Sequence, residues 1–91
     1  MVQISFTNLR RYTMFGKRLN KIRKSRGFTA QRMADQLSIS IRTYRNYESE
    51  HSSPSLDMLV RIADILNVSV DYLLCRDEFL KSLGVSVDVF Q

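Results

Sequence analysis

Residues 29–48 read TAQRMADQLSISIRTYRNYE, and this stretch predicts two short helices separated by a tight turn. Thr29 and Ser40 each come just before a helical pattern, where a hydroxyl can accept a hydrogen bond from an amide of the first turn. The turn is expected at 37–39, where two apolar residues flank a serine. The first helix of the pair is expected to bury Met33, Ala34 and Leu37.

The second helix of this stretch is expected to run from Ile41 to about Glu48 and to have two unlike faces. Tyr44 and Tyr47 lie three residues apart, so they share one side of a helix and are expected to be buried. The other side carries hydrogen-bond donors at Arg42, Arg45, Asn46 and Ser49. Such a surface is either a solvated helix face or one that binds another molecule.

Apolar residues at helical spacing predict one helix before this pair and two after it. The upstream helix is expected over 16–26, with a basic outer face and Gly27 ending it in left-handed backbone. Ser55 is expected to cap the next helix, and Ser69 a last short one over 70–75. The helix after Ser55 is expected to bury Leu56, Leu59, Val60, Ile62, Ala63 and Leu66. The fold class is therefore predicted to be all-α with five helices.

The size and composition of the chain fit one globular domain. It has 91 residues, of which 44% are hydrophobic and 25% charged, and it contains one proline and three glycines. No apolar run reaches the roughly 18 residues needed to cross a bilayer, and the N-terminus has no secretion signal. We therefore expect a cytoplasmic protein that does not associate with a membrane.

The sequence offers little for metal binding or catalysis. Cys75 and His51 are the only cysteine and histidine, and neither has neighbours at metal-ligand spacing. No nucleophile accompanies a base, no carboxylate pair stands out, and no glycine-rich loop could cradle a phosphate. We therefore expect no metal, no cofactor and no enzymatic activity.

Charge is divided unevenly along the chain, whose formal net charge is +5. Residues 1–34 contain nine lysines or arginines and no acidic residue, whereas residues 57–91 contain three basic and six acidic residues. This division indicates one surface suited to a polyanion and another suited to something else. Charge alone does not distinguish DNA from RNA or from an anionic membrane surface.

Both ends of the chain contain short alternating patterns. Residues 2–6, VQISF, and 85–89, VSVDV, alternate apolar and polar residues as strands do. An isolated strand is not stable, so we expect the two to pair with each other or across a dimer. The alternative is that both ends are frayed.

The stretch 29–48, followed by PSL at 54–56 and VSVDYLL at 68–74, resembles the Cro and phage-repressor type (XRE-like) helix-turn-helix family. The resemblance covers roughly residues 16–75 without an internal gap. It implies a lambda-repressor-like five-helix domain at 16–75, an N-terminal extension at 1–15 and a C-terminal extension at 76–91. It also implies sequence-specific binding of double-stranded DNA by a transcriptional regulator, a repressor acting on an inverted-repeat operator.

The resemblance places the second helix of the pair in the major groove and assigns base contacts to Ile41, Arg42, Arg45 and Asn46. An arginine can donate two hydrogen bonds to guanine, asparagine suits adenine, and isoleucine can contact a thymine methyl. Phosphate contacts are expected near the helix starts and the following loop, at Thr29, Gln31, Ser40, Thr43 and Ser49. Further phosphate contacts are expected on the basic helix, at Lys17, Arg18 and Lys21.

The chain departs from the family pattern at two positions and in the loop before Pro54, which lacks the basic residues that many relatives carry. Ala30 stands where relatives often carry a glutamine that holds a phosphate, and Gln31 follows about 100° further around the helix. Ser38 stands where the turn usually has glycine. Arg23 and Glu48 match a pair that forms a partly buried ion pair in the family; the alternative is two unrelated surface charges.

Dimerisation is expected because a single helix contacts too few bases to select one site in a genome. The surface expected to form the dimer is the last helix, at Leu73 and Leu74, extended by the C-terminal segment; the alternative is that both leucines belong to the core. A second function also fits the sequence: the same fold could hold a protein partner, as an antitoxin holds its toxin. A steep salt dependence would favour DNA as the ligand.

Overall fold

The computed structural model describes residues 14–77 and 82–84. Five helices are found in the first of these ranges: α1 (Phe15–Ser25), α2 (Ala30–Leu37), α3 (Ile41–Ser49), α4 (Leu56–Leu66) and α5 (Val70–Leu73). The all-α class and the five predicted helices are confirmed. The two strands predicted in the terminal extensions lie outside the described residues. No helix in the described ranges has both the length and the apolar content to cross a bilayer.

Hydroxyl caps fix where four of the helices begin. In each case the hydroxyl accepts a hydrogen bond from the backbone amide three residues later, which satisfies a donor that has no partner within the helix. The four capping residues are Thr29, Ser40, Ser55 and Ser69. These caps were all predicted from the sequence, and they place the start of α3 at Ile41.

Left-handed residues end several of the helices. Ser38 after α2 and Asn67 after α4 both have a φ of 57°. This left-handed conformation favours glycine, but serine and asparagine adopt it here. Gly27, with a φ of 77°, lies in the turn that follows α1, as predicted. The last helix ends at Leu73, two residues earlier than expected.

The core forms where the inner faces of all five helices meet, and α3 packs against both α1 and α2. Tyr44 is fully buried at the centre, and no charged or polar residue is buried among the described residues. The buried hydrophobic residues are Phe15, Leu19, Ile22, Met33, Ala34, Leu37, Tyr44, Tyr47, Leu59, Ile62, Ala63, Leu66, Leu73 and Cys75.

The predicted inner face of α4 was too wide. Leu56 is 83% exposed and Val60 is 49% exposed, although both were expected in the core. The buried stripe of α4 is centred on Leu59, Ile62 and Leu66, and the two exposed residues lie at one edge of it. The amphipathic pattern predicts that both of these side chains are buried, but the neighbouring helices cover only part of the apolar face of α4.

A close approach between two backbones joins α1 to the end of α3. The amide of Gly16 lies against the last turn of α3, and a Cβ atom built on Gly16 would be 2.2 Å from the carbonyl oxygen of Glu48. No side chain fits in that space. Gly16 therefore sets how near α1 can come to the back of α3.

Candidate nucleic-acid interface

The outer face of α3 presents two exposed guanidinium groups. Arg42 and Arg45 are both exposed, and neither makes a hydrogen bond, an ion pair or a ring contact with any described residue. Asn46, next to them, is half-buried. Tyr44 and Tyr47 point into the core and contact each other edge to face, with ring centroids 6.4 Å apart. The inner face thus anchors α3 while its donors face outward.

Two predicted contact residues of α3 are less available than the arginines. Ile41 is half-buried and packs against the core, so only part of its side chain could reach a base. Thr43 is also half-buried, and its hydroxyl accepts a hydrogen bond of 2.9 Å from Ser40. Arg42, Arg45 and Asn46 therefore provide most of the polar surface of this face.

The first turns of the helices differ in charge. Helices α1, α2 and α3 have no acidic residue there, while α4 has Asp57 and α5 has Asp71. At the start of α1 the carboxylate of Glu50 accepts from the amide of Gly16, which leaves the starts of α2 and α3 without a carboxylate. An acidic residue in the first turn offsets the positive end of the helix dipole, and its absence leaves that end available to an external anion. The two uncompensated starts follow Thr29 and Ser40, which is where phosphate contacts were predicted.

The remaining predicted phosphate residues are exposed, with some internal contacts. Gln31 donates a 2.8 Å hydrogen bond to Asp35, so its amide is held along α2. The hydroxyl of Ser49 lies 2.7 Å from Nδ1 of His51, in the loop after α3. Lys17 and Lys21 are exposed on the outer face of α1.

Arg18 does not have the exposed position that the sequence suggested. Its guanidinium makes a bidentate ion pair with Asp77, with a shortest contact of 2.6 Å, and it lies over the ring of Tyr72 at 4.3 Å. The hydrogen bonds that Arg18 donates to Asp77 raise the pKa of Arg18 above its usual value. Because Asp77 and the ring of Tyr72 hold this guanidinium, Arg18 is not available for the phosphate contact that was predicted.

Arg23 and Glu48 form an ion pair that joins α1 to α3, as the resemblance implied. Nε of Arg23 lies 2.7 Å from Oε2 of Glu48, and the two side chains are only 12% and 13% exposed. A second guanidinium nitrogen of Arg23 donates to the carbonyl oxygen of Phe28 at 2.8 Å. The pair therefore connects α1, the turn after it and α3.

Two further donors to Glu48 were not foreseen. The hydroxyl of Tyr44 donates to Oε2 at 2.5 Å, and the amide of Asn20 donates to Oε1 at 2.8 Å. Burial alone would raise the pKa of Glu48, but the hydrogen bonds from Arg23, Tyr44 and Asn20 outweigh it and hold that pKa below its usual value. Burial raises the pKa of Tyr44, so its hydroxyl keeps the proton that it donates.

Glu50 and Arg32 also have roles that the sequence patterns did not reveal. The carboxylate of Glu50 accepts a 3.0 Å hydrogen bond from the amide of Gly16, so it caps α1 from the far end of α3. The guanidinium of Arg32 lies 5.0 Å from the centre of the Phe28 ring, beside the start of α2. The pattern of apolar and polar residues cannot indicate a contact between residues 34 positions apart in the sequence, such as Glu50 and Gly16.

The expected dimer surface must be corrected. Leu73 is fully buried in the core of a single chain and cannot contact another copy. Leu74 is half-buried and lines an open hollow of about 330 Å³. The other lining residues are Phe15, Glu50, Ser52, Ser53, Pro54, Leu56 and Leu59.

Helices α2 and α3, joined by a three-residue turn and supported by α1, α4 and α5, form a helix-turn-helix domain with a donor-rich second helix. A helix-turn-helix family profile matches residues 19–73, which is more than half of the chain. The chain belongs to this helix-turn-helix family, of the Cro and phage-repressor (XRE-like) type.

Similar proteins include phage-derived regulators. The SPbeta prophage-derived HTH-type transcriptional regulator YonR of Bacillus subtilis is 48% identical over 61 residues, which are 67% of this chain and 56% of that protein. The cryptic phage CTXphi transcriptional repressor RstR of Vibrio cholerae is 42% identical over 60 residues, 66% of this chain and 54% of that protein. The chain thus spans about half the length of these curated relatives.

A crystal structure of a transcriptional regulator from Listeria innocua has a similar fold. It superposes with a TM-score of 0.61 at 26% identity, over 77% of this chain and 75% of that one. The likeness supports the fold class derived from the sequence.

Proposed function

We propose that this chain binds double-stranded DNA sequence-specifically and regulates transcription in the cytoplasm, as a repressor. The observation that carries the proposal is the outer face of α3, where Arg42 and Arg45 are exposed and have no partner among the described residues, with half-buried Asn46 beside them. The names of the relatives, among them a phage repressor, point the same way. In this proposal the chain acts by binding, without catalysis and without a cofactor.

The geometry suits insertion of α3 into the major groove. Each base pair presents a distinct pattern of donors and acceptors there, and a helix is narrow enough to enter. The starts of α2 and α3, with uncompensated dipoles, would lie against phosphates on either side of the groove. Selection of bound fragments from random duplex DNA tests the proposal, and recovery of unenriched fragments would refute it.

Electrostatic attraction by the exposed lysines of α1 should make binding depend on salt. We expect Lys21→Ala to weaken binding to specific and random duplexes by a similar factor. The negative slope of log affinity against log salt should become shallower by about 1. Fluorescence anisotropy over a salt series gives both quantities. Arg18→Ala should leave the slope unchanged, because Asp77 and Tyr72 already occupy that side chain. An unchanged slope for Lys21→Ala would remove Lys21 from the interface.

We propose that the chain acts as a homodimer through the apolar edge of α4. Leu56 and Val60 lie one turn apart on the same helix and are exposed, and Leu56 and Leu74 line the same hollow. An exposed apolar group of this kind marks an interaction surface more often than a scattered single residue does. This patch, Leu56, Val60 and Leu74, replaces the surface expected at Leu73.

The dimer can be tested by charging the patch. Leu56→Glu should shift the protein from dimer to monomer in sedimentation equilibrium without unfolding it, because the side chain is 83% exposed. Loss of the second half-site contact should reduce operator affinity by about 10-fold or more. Arg61→Glu, at an exposed site on the same helix, serves as the control. A dimer that survives Leu56→Glu places the interface elsewhere.

A further inference from the structure

We infer, resting on the proposed function, that each operator half-site contains two guanines held by Arg42 and Arg45 within about three consecutive base pairs. This inference names the class of DNA that α3 selects. It depends on three features, the use of most other described arginines within the chain, the absence of a competing carboxylate beside Arg42 and Arg45, and the match between their donors and guanine, together with the spacing of the two arginines.

The first feature is how arginine is used elsewhere in the described residues. Arg18 is paired with Asp77, Arg23 with Glu48 and Arg76 with Asp71. Arg26 donates to the carbonyl oxygen of Leu66 at 2.8 Å. These four guanidinium groups have acceptors within the chain, and Arg32 lies over the ring of Phe28. Arg42 and Arg45, like the exposed Arg61 of α4, make no hydrogen bond or ion pair with a described residue. Arg42 and Arg45 are the two such arginines that lie on α3.

The second feature is the absence of a competing carboxylate on this face, judged over the described residues. The acidic side chains nearest in sequence all have other partners. Asp35 accepts from Gln31, Glu48 faces α1, and Glu50 accepts from the amide of Gly16. Both guanidinium groups therefore keep their donors for an external partner.

The third feature is the match between the donors and guanine. A guanidinium presents two parallel N–H groups, and the major-groove edge of guanine presents two acceptors, O6 and N7. Adenine and cytosine each place an amino donor on that edge, and thymine presents one acceptor and a methyl group. Guanine is therefore the base whose major-groove edge satisfies two donors of one arginine.

The spacing of the two arginines limits how far apart the guanines can be. Residues three apart in an α-helix rise about 4.5 Å along its axis and lie on one side of it. Base pairs rise about 3.4 Å each, so side chains of this length reach neighbouring pairs or pairs separated by one. Two guanines within about three consecutive pairs fit this geometry.

Modified bases can test each contact in the site recovered by selection. Replacing a contacted guanine by 7-deazaguanine removes N7 but keeps base pairing, and we expect affinity to fall about 10-fold. Replacing the same guanine by inosine removes only the minor-groove amino group, and we expect a change of less than about 2-fold, since the major-groove edge is kept. Equal sensitivity to both replacements would overturn the inference.

Variants assign each guanine to its arginine. In Arg45→Ala, 7-deazaguanine at the guanine that Arg45 contacts should have no further effect on affinity, whereas at the other guanine it should still lower affinity about 10-fold. In Arg42→Ala the two guanines should exchange these responses. Arg61→Ala removes an exposed arginine of α4 and should keep both effects. Enriched half-sites without guanine would overturn this inference and leave the proposed function standing. No enrichment at all would overturn both.

Discussion

Replacing Gly16 by alanine should destabilise the protein by about 3 kcal/mol, even though alanine favours a helix more than glycine does. The substitution would gain up to about 1 kcal/mol of helix propensity. The new Cβ atom, however, would lie 2.2 Å from the carbonyl oxygen of Glu48 and 2.9 Å from its carbonyl carbon. Because both atoms belong to the backbone, α1 would have to move away from α3.

Thermal unfolding measures this effect, with an expected fall in Tm of roughly 12 to 24 °C for a domain of this size. Gly27→Ala is the matched control. Nothing lies within 4 Å of a Cβ atom at that position, but its φ is +77°, so the cost should be about 1 kcal/mol from backbone strain alone. If the two variants were equally stable, the close packing of α1 on α3 would have no energetic importance.

Glu48→Gln should cost about 3 kcal/mol although it hardly changes the size of the side chain. Its two carboxylate oxygens accept from Arg23, Tyr44 and Asn20, and all of these partners are donors. A glutamine would replace one accepting oxygen by an NH₂ group, which cannot accept from these donors. It would also leave the charge of Arg23 without a counterion. Urea unfolding followed by circular dichroism measures the loss.

The same carboxylate should make stability depend on pH. The pKa of Glu48 in the folded chain lies below its ordinary value of 4.5, so its contribution is present above that value and is lost as pH falls through the folded-state pKa. Glu48→Gln should therefore show a flatter decline of unfolding free energy below about pH 4.5 than the unmodified chain.

Glu50→Gln controls for the loss of one negative charge in this region. Glu50 accepts one hydrogen bond, from the amide of Gly16, and the carbonyl oxygen of a glutamine could still accept it. We expect a cost below about 1 kcal/mol. An equal loss for the two variants would mean that the effect comes from net charge and not from the partners of Glu48.

Local chemistry explains why the helices and their starts were predictable. The hydroxyls of Thr29, Ser40, Ser55 and Ser69 act on amides three residues away, so the information lies within one turn of each helix. The burial of Tyr44 and Tyr47 was predictable because their spacing places two aromatic rings on one side of α3, opposite its polar side chains. The ion pair of Arg23 and Glu48 came instead from the family resemblance, because no local pattern links residues 25 positions apart.

The features that the sequence did not reveal depend on how the helices are placed against one another. Leu56 and Leu73 are both leucines in amphipathic helices, yet one is 83% exposed and the other is fully buried. Which of them faces a neighbouring helix is decided by the packing of α4 and α5. Arg18 looked like a free cation because Asp77, its partner, lies 59 positions away along the chain.

In α3 the residues that hold the helix in place differ from those that face outward, and this has a consequence for how its DNA specificity could change during evolution. The side chains that hold the helix in place, Tyr44, Tyr47 and Glu48, all point inward, whereas Arg42 and Arg45 contact no described residue. Substitutions at the two arginines should therefore leave folding nearly untouched. A descendant could be retargeted to a new operator by a few exchanges on one surface, while the scaffold that presents them is inherited unchanged.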